Sequence, residues 1–199
     1  MSSPASTCEG LYRESSDPWG FRTRWYERRK REIVVASLPR IGFASCWELG
    51  CSNGELTAAL APRCEQILAT DGNESAVGEA KRRLSEFKRV RVEHQIHPKD
   101  WPADRFDLII FSELAYNFDE ETLRSTVRRL EGSLLPAGTL VACHWRYPIE
   151  GCSLSGEDAH RILAEVLSLS RVMLHQEADF TLEIWSGDPR SVAAREGMV

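Results

Sequence analysis

The residues best equipped for chemistry begin with one short run, Trp47-Glu48-Leu49-Gly50-Cys51-Ser52-Asn53-Gly54-Glu55-Leu56-Thr57. An apolar stretch ends in a loop of small residues, and a helical pattern starts at once. Gly50 permits a tight turn, and Gly54 is expected to let the following helix pack close to the strand. The backbone of such a loop can approach a ligand, and its amides suit a carboxylate or a phosphate. The pattern is E-x-G-x-x-x-G, not the G-x-G-x-x-G of dinucleotide enzymes. Ser52 stands where the middle glycine would be and Glu55 where the third would be. That argues against a pyrophosphate at this turn.

Asp71 closes the next apolar run, 21 positions after Gly50. A carboxylate there can accept two hydrogen bonds from the diol of a ribose. Taken alone, Asp71-Gly72-Asn73 reads equally as an Asx turn; the spacing from the Gly50 loop favours the ribose. A further run, Phe106 to Ser112, leads into Glu113-Leu114-Ala115-Tyr116-Asn117. Glu113 and Tyr116 are acid–base candidates, or else a helix-capping glutamate and a packed tyrosine. His144, before Trp145-Arg146, is a base, a substrate-orienting group or a satisfied structural histidine. His160 falls on a helical pattern and is expected to be exposed. His94, His97 and His144 lack metal-motif spacing, so no metal is expected.

The elements that must position these residues follow from hydrophobic periodicity. Strands are predicted at Ser45–Leu49, Gln66–Thr70, Val90–Glu93, Phe106–Phe111, Thr139–His144, Val172–Gln176 and Phe180–Trp185. Helices are predicted at Trp25–Leu38, Glu55–Leu60, Glu74–Leu84, Asp119–Leu134 and Gly156–Leu167. Only 95–105 lacks a helical pattern and is expected to cross over irregularly. Alternating strands and helices imply a parallel sheet covered on both faces, with right-handed crossovers. Glu177-Ala178-Asp179, between the last two strands, is too short for a parallel crossover and fits an antiparallel hairpin. The expected fold is therefore α/β: a Rossmann-like, seven-stranded sheet, mostly parallel, closed by an antiparallel hairpin. Its ligand edge lies at the carboxyl ends of the strands, near the switch point between the first and the fourth.

The chain has 199 residues, enough for one domain with a substantial core, and a net charge of −5 that offers no basic field for nucleic acid. The basic run Arg22–Arg31 reads as a solvated helix face. No stretch approaches the ~20 apolar residues of a membrane span. The N-terminus shows no signal-peptide pattern, so the cytoplasm is the expected compartment. The six cysteines (Cys8, Cys46, Cys51, Cys64, Cys143 and Cys152) form no C-x-x-C pair and read as reduced, structural thiols. Residues 1–16 are expected to be flexible. A single domain follows over 17–199, opened by a helical cap at 17–39.

These features resemble the class I S-adenosylmethionine-dependent methyltransferases, and more narrowly the nodulation protein S-like family. The resemblance rests on Asp17-Pro18-Trp19, Trp25-Tyr26-Glu27-Arg28-Arg29-Lys30, Glu48-Leu49-Gly50-Cys51-Ser52-Asn53-Gly54, Trp101-Pro102 before Phe106-Asp107-Leu108-Ile109, Ser112-Glu113-Leu114 and His144-Trp145-Arg146. It implies S-adenosylmethionine as cofactor. The Gly50–Gly54 loop, Ser52 included, would take the methionine moiety, Asp71 the ribose, and residues near Ile96 and His97 the adenine. Glu48 and Ser112 complete the implied contacts, and Tyr26 would help cover the cofactor. The acidic residue that often meets the adenine amino group is absent; Gln95 and Ile96 stand there, and the Gln95 amide can replace it.

The resemblance further implies methylation of a small molecule, with an amine of an amino sugar or chitooligosaccharide as the acceptor class. A hydroxyl on a natural product and a non-catalytic S-adenosylmethionine-binding role are the alternatives, together with a nicotinamide-dependent oxidoreductase. Because an amine must be neutral to attack, a base is required. Glu113 is the first candidate, ahead of Tyr116 and His144. Oligomeric state is left open.

Overall fold

A computed structural model describes residues 10–12 and 14–199. The expected flexibility of 1–9 and 13, and Cys8 with them, lies outside the described residues. Within 10–16, Tyr12 is buried and hydrogen-bonds Ser52 through its hydroxyl.

The elements in chain order are α1 (Trp25–Ala36), β1 (Phe43–Leu49), α2 (Glu55–Leu60), β2 (Cys64–Asp71), α3 (Glu74–Arg83), β3 (Val90–His94), β4 (Phe106–Ser112), α4 (Glu120–Gly132), β5 (Leu134–Trp145), α5 (Gly156–Val166), β6 (Ser170–Gln176), β7 (Phe180–Ser186) and α6 (Val192–Arg195). One sheet of seven strands runs β3-β2-β1-β4-β5-β7-β6. β3 to β5 are mutually parallel, while β7 pairs antiparallel with both β5 and β6. The chain order reverses between β1 and β4, which creates a crevice at their carboxyl ends.

Alternation along the central strands sends side chains to both faces. Trp47, Leu49, Ile109 and Phe111 pack with α4 and α5, whereas Cys46, Leu108 and Ile110 pack toward α1 and α2. Leu123, Val127 and Leu130, at i, i+4 and i+7 of α4, are fully buried. Truncating any of the leucines to alanine costs about 2–5 kcal/mol. Asp119 caps α4 by accepting from Thr122 N–H, and Ser155 with Asp158 forms a capping box on α5. Gly156 is obligatory, because a Cβ there would lie 2.0 Å from the Trp145 carbonyl oxygen. The start of α5 is thereby pressed against the end of β5.

Among the described residues, no helix is long and apolar enough to cross a membrane.

Candidate active site

The carboxyl ends of β1, β2, β4 and β5 share one edge of the sheet. The β1 loop is held by Gly50 and Cys51 N–H groups donating to the Thr70 carbonyl, at 2.8 and 2.9 Å. Three of its residues take left-handed backbone: Gly50 (φ 72), Ser52 (φ 51) and Gly54 (φ 81). A Cβ on Gly54 would meet Leu84 at 2.9 Å and Ala80 at 3.3 Å. The close approach that needs this glycine is to α3, not to the strand that precedes it, which corrects the sequence expectation.

Asp71 turns back onto this loop. One carboxylate oxygen accepts from Ser52 N–H and the other from Asn73 N–H, both at 2.8 Å. The Asx turn is therefore present, and each oxygen keeps a lone pair. Burial raises the Asp71 carboxyl above its ordinary range, against the lowering effect of those two amides. Glu48 lies beneath the loop, 2% exposed, accepting from Thr57 Oγ1 at 2.6 Å. Burial pushes its carboxyl up to about 8. It props the loop against α2 and does not face solvent.

Beside Asp71, β3 continues into Gln95 and Ile96. Gln95 N–H donates to the Asp71 carbonyl at 3.0 Å, and Ile96 is half-exposed. The Gln95 side chain donates to Glu93 at 3.0 Å, leaving its Oε1 buried without a partner. A buried orphan acceptor suits an amino group such as that of adenine. His97 is committed elsewhere. Its Nδ1 meets the Asp100 carbonyl and its Nε2 meets Thr70 Oγ1, each at 2.9 Å, and its ring lies edge-on to Trp47 and Trp101.

At the β4 end, Ser112 Oγ donates to the Cys143 carbonyl at 3.2 Å. Glu113 follows with φ 55, a left-handed conformation that costs a non-glycine residue about 1 kcal/mol. Its Oε1 accepts from Lys30 Nζ at 2.7 Å. Its Oε2 accepts from Tyr116 Oη at 2.6 Å and from Trp145 N–H at 3.0 Å. Lys30 also reaches Glu27 Oε2 at 3.1 Å. Burial alone would lower the Lys30 pKa, but the adjacent Glu113 and Glu27 carboxylates outweigh it and hold the group charged. Burial raises Glu27, in opposition to Lys30. The basic run was expected to be a solvated face; Glu27 and Lys30 are instead buried at 8% and 6% exposure. Lys30 is inward with its ammonium on Glu113, and Glu27 is inward beside it, sharing that ammonium.

Tyr26 joins this cluster, its ring edge-on to Trp145 at 5.6 Å and 5.0 Å from Lys30 Nζ. Its hydroxyl is buried without a partner. The tyrosine thus sits with Lys30 and Trp145 beside Glu113. The segment before α1 covers the β1 loop: Asp17 accepts from Asn53 Nδ2 at 3.0 Å and from Phe21 and Arg22 N–H.

Two histidine expectations need correction. His144 is fully buried; its Nε2 accepts from Ala115 N–H and its Nδ1 meets His160, both at 3.2 Å. With both nitrogens engaged it cannot touch a substrate as a base. Burial pushes its pKa well below the ordinary imidazole value. His160, expected on the surface, is 7% exposed and bonded to Glu183 at 2.7 Å.

The structure therefore gathers Glu113, Tyr116 and Tyr26 around Lys30, and Gly50, Ser52, Asp71, Gln95 and Ile96 around the crevice. Glu48, Ser112 and His144 support it from inside. Sequence reasoning missed Lys30, Glu27, Asn53 and Thr57. The i, i+3 pair Glu27–Lys30 was the one local signal for the first two. A separate groove of about 920 Å³, lined by Ser45, Gln66, Arg89 and Arg105 among others, opens at the amino ends of the strands, away from this edge.

This sheet order with its antiparallel end, and a glycine loop, an acidic residue after β2 and a polar cluster after β4 at one edge, define the class I methyltransferase architecture. A solved S-adenosylmethionine-dependent methyltransferase from Clostridium acetobutylicum shares it over 90% of this chain and 98% of its own, with a TM-score of 0.68 at 14% identity. Within that class the chain belongs to the nodulation protein S family, whose family model, Nodulation protein S (NodS), matches residues 7–173. The nodulation protein S of Rhizobium tropici is 28% identical over 129 residues, covering 64% of this chain and 54% of that protein. Across three such curated relatives the match spans only 54% to 62% of their length. The solved N-methyltransferase NodS of Bradyrhizobium japonicum, in complex with S-adenosyl-L-homocysteine, is 25% identical. Its TM-score is 0.82, covering 93% of this chain and 98% of that one. A protein of solved structure from Pseudomonas syringae is 44% identical, with a TM-score of 0.74 and coverage of 82% and 99%.

Proposed function

We propose that this chain is an S-adenosylmethionine-dependent N-methyltransferase acting on a primary amine of a small molecule, with an amino sugar or chitooligosaccharide as the acceptor class. The charge balance at the acceptor edge carries the reading: two carboxylates, Glu113 and Glu27, share one ammonium, Lys30. Such a cluster attracts a protonated amine and gives no comparable advantage to a neutral hydroxyl. Family membership points the same way. Trp145 and half-exposed Tyr147, with ring centroids 5.0 Å apart, offer an aromatic face on which a pyranose ring can lie.

S-Adenosylmethionine, when bound, supplies a methyl group activated by its sulfonium. The Gly50–Gly54 backbone would hold its amino-acid end, the remaining lone pairs of Asp71 the ribose hydroxyls, and Gln95 Oε1 an adenine amino hydrogen. Ser52 would contribute through its backbone carbonyl, since its N–H donates to Asp71 and its hydroxyl is taken by Tyr12. Tyr26 would screen the crevice from water. Glu113 is the proton acceptor in this reading. Its Oε2 is filled by Tyr116 and Trp145, whereas Oε1 has Lys30 as its donor and one lone pair left for the proton the amine must lose. Tyr116 fixes the carboxylate. Cytosolic residence is consistent with the buried, unpaired thiols of Cys46, Cys51, Cys64 and Cys143.

Isothermal titration of the purified protein with S-adenosylmethionine and, separately, with NAD tests the cofactor. Saturable binding of the first alone is expected; binding of NAD alone overturns the proposal. Labelled methyl transfer is then offered glucosamine and glucose. Label entering glucose but not glucosamine would exclude the amine assignment.

A further inference from the structure

Behind the acceptor edge, four polar side chains form a line that the proposed chemistry does not use. Ala115 N–H lies 3.2 Å from His144 Nε2, His144 Nδ1 lies 3.2 Å from His160 Nε2, and His160 Nδ1 lies 2.7 Å from Glu183 Oε2. Arg171 closes the line by donating to Glu183 Oε1 at 2.6 Å. His144, His160 and Glu183 are 0%, 7% and 3% exposed, so water does not compete for these bonds.

The direction of every bond is fixed by its first member. A backbone amide can only donate, so His144 Nε2 must carry a lone pair, and its proton sits on Nδ1. That proton can only be given to His160 Nε2, which places the second ring's proton on Nδ1 as well. Glu183, ionised beside Arg171, accepts it. Both rings are therefore neutral and both are Nδ1–H tautomers, each set by the bond its other nitrogen makes.

We infer that His144 and His160 are positioning residues: anchored by Glu183, they form a one-directional hydrogen-bond chain that fixes the turn carrying Glu113 and Tyr116. Ala115 lies between those two residues in that turn. Glu113 occupies left-handed backbone, which persists only where its surroundings over-determine it. The chain supplies such a constraint from below, while Lys30 and Trp145 N–H supply it from the side-chain end. The Tyr116 ring also rests edge-on against His144 at 5.8 Å. α5 is pressed onto β5 at Gly156, and this brings His160 under His144. The functional weight of the inference rests on reading Glu113 as the acceptor-facing carboxylate; the bond chain itself does not.

Two variants and one spectrum test it. Imidazole ¹⁵N spectra of the full chain at neutral pH should show His144 and His160 as Nδ1–H tautomers; the Nε2–H form or an imidazolium at either position overturns the inference. His160→Leu removes the middle of the chain, so hydrogen exchange at the Ala115 amide should quicken about tenfold. In His160→Gln the amide can accept from His144 and donate to Glu183, and slow exchange should return. Unchanged Ala115 exchange in a folded His160→Leu protein refutes the positioning role, and so does rapid exchange in His160→Gln. If the leucine variant fails to fold, the wild-type spectrum and the glutamine variant still decide. S-Adenosylmethionine titration runs alongside: absence of binding in the wild type would count against the proposed function while leaving the tautomers as they are.

Discussion

Deleting the ammonium of Lys30 should destabilise the protein by about 3 kcal/mol near neutral pH, and by less in mild acid. Lys30→Met keeps the apolar stem on α1 and removes only the charge. Glu113, 2.7 Å away, and Glu27, 3.1 Å away, then lose their common counter-ion at side-chain exposures of 20% and 11%. Breaking a buried pair from one side costs about 3–5 kcal/mol. Protonation caps that cost, because Glu27, already raised by burial, can neutralise itself. Protonating an ordinary carboxylate near pH 7.5 costs about 4 kcal/mol, and less for one already raised. Three therefore sits inside both bounds.

The pH dependence follows in sign. In the variant, the folded pKa of Glu27 lies further above its unfolded value, so the folded state binds the extra proton. The stability of the variant is then greatest below the unfolded carboxylate value and declines as pH rises. The gap to wild type should narrow on going from about pH 7.5 to about pH 5.5. For a chain of this size, about 3 kcal/mol corresponds to a melting shift of roughly 6–12 °C. Thermal melts of wild type, Lys30→Met, Glu27→Gln and the double variant measure it. Glu27→Gln in the Lys30→Met background should recover much of the loss. A Lys30→Met protein melting within about 2 °C of wild type, or a loss that ignores pH, would show that the cluster is not an electrostatic unit.

Three further expectations follow from the same geometry. Glu113→Gln should lower turnover about 100-fold while leaving S-adenosylmethionine affinity nearly intact by calorimetry; a collapse of binding would move Glu113 into the cofactor site. Asp71→Asn keeps one acceptor for two backbone donors, and should weaken S-adenosylmethionine binding at least about tenfold with a stability loss of about 1–3 kcal/mol. Unaltered affinity would detach Asp71 from the ribose. Glu48 has a folded pKa of about 8, above its ordinary value of 4.5, so its contribution to stability is complete below the latter and fades as pH rises to the former. Glu48→Gln retains the Thr57 bond and should melt higher than wild type by an amount growing with pH, of order 3 kcal/mol in mild alkali. Equal melting curves at high and low pH would contradict the buried-carboxyl account.

The strands were legible because their apolar runs are short, β-rich and separated by helical periods. The exception is the start of β5: Pro136 and Gly138 disguise the segment from Leu134, and the strand becomes recognisable only at Thr139. The Gly50 loop and Asp71 were legible because their chemistry is local, one turn and one spacing. His144 and His160 were not, since their partners, Ala115 and Glu183, lie 29 and 23 positions away. A histidine on a helix carries no local mark of a glutamate waiting in a strand two elements later.

Lys30 illustrates the same limit from the opposite side. In a run of five arginines and one lysine, charge alone favours a solvated face, and all five arginines, Arg22, Arg24, Arg28, Arg29 and Arg31, do point outward or half outward. What turns Lys30 inward is Glu113, 83 positions later, whose own left-handed backbone aims its carboxylate back at α1. Neither residue is explicable alone. A buried ammonium demands a carboxylate, and a strained glutamate demands anchors; each supplies what the other lacks. The edge proposed to receive the acceptor is therefore assembled by long-range pairing across α1, β4 and β5, and on that reading a substitution at Lys30 acts at the candidate site although the residue sits in α1.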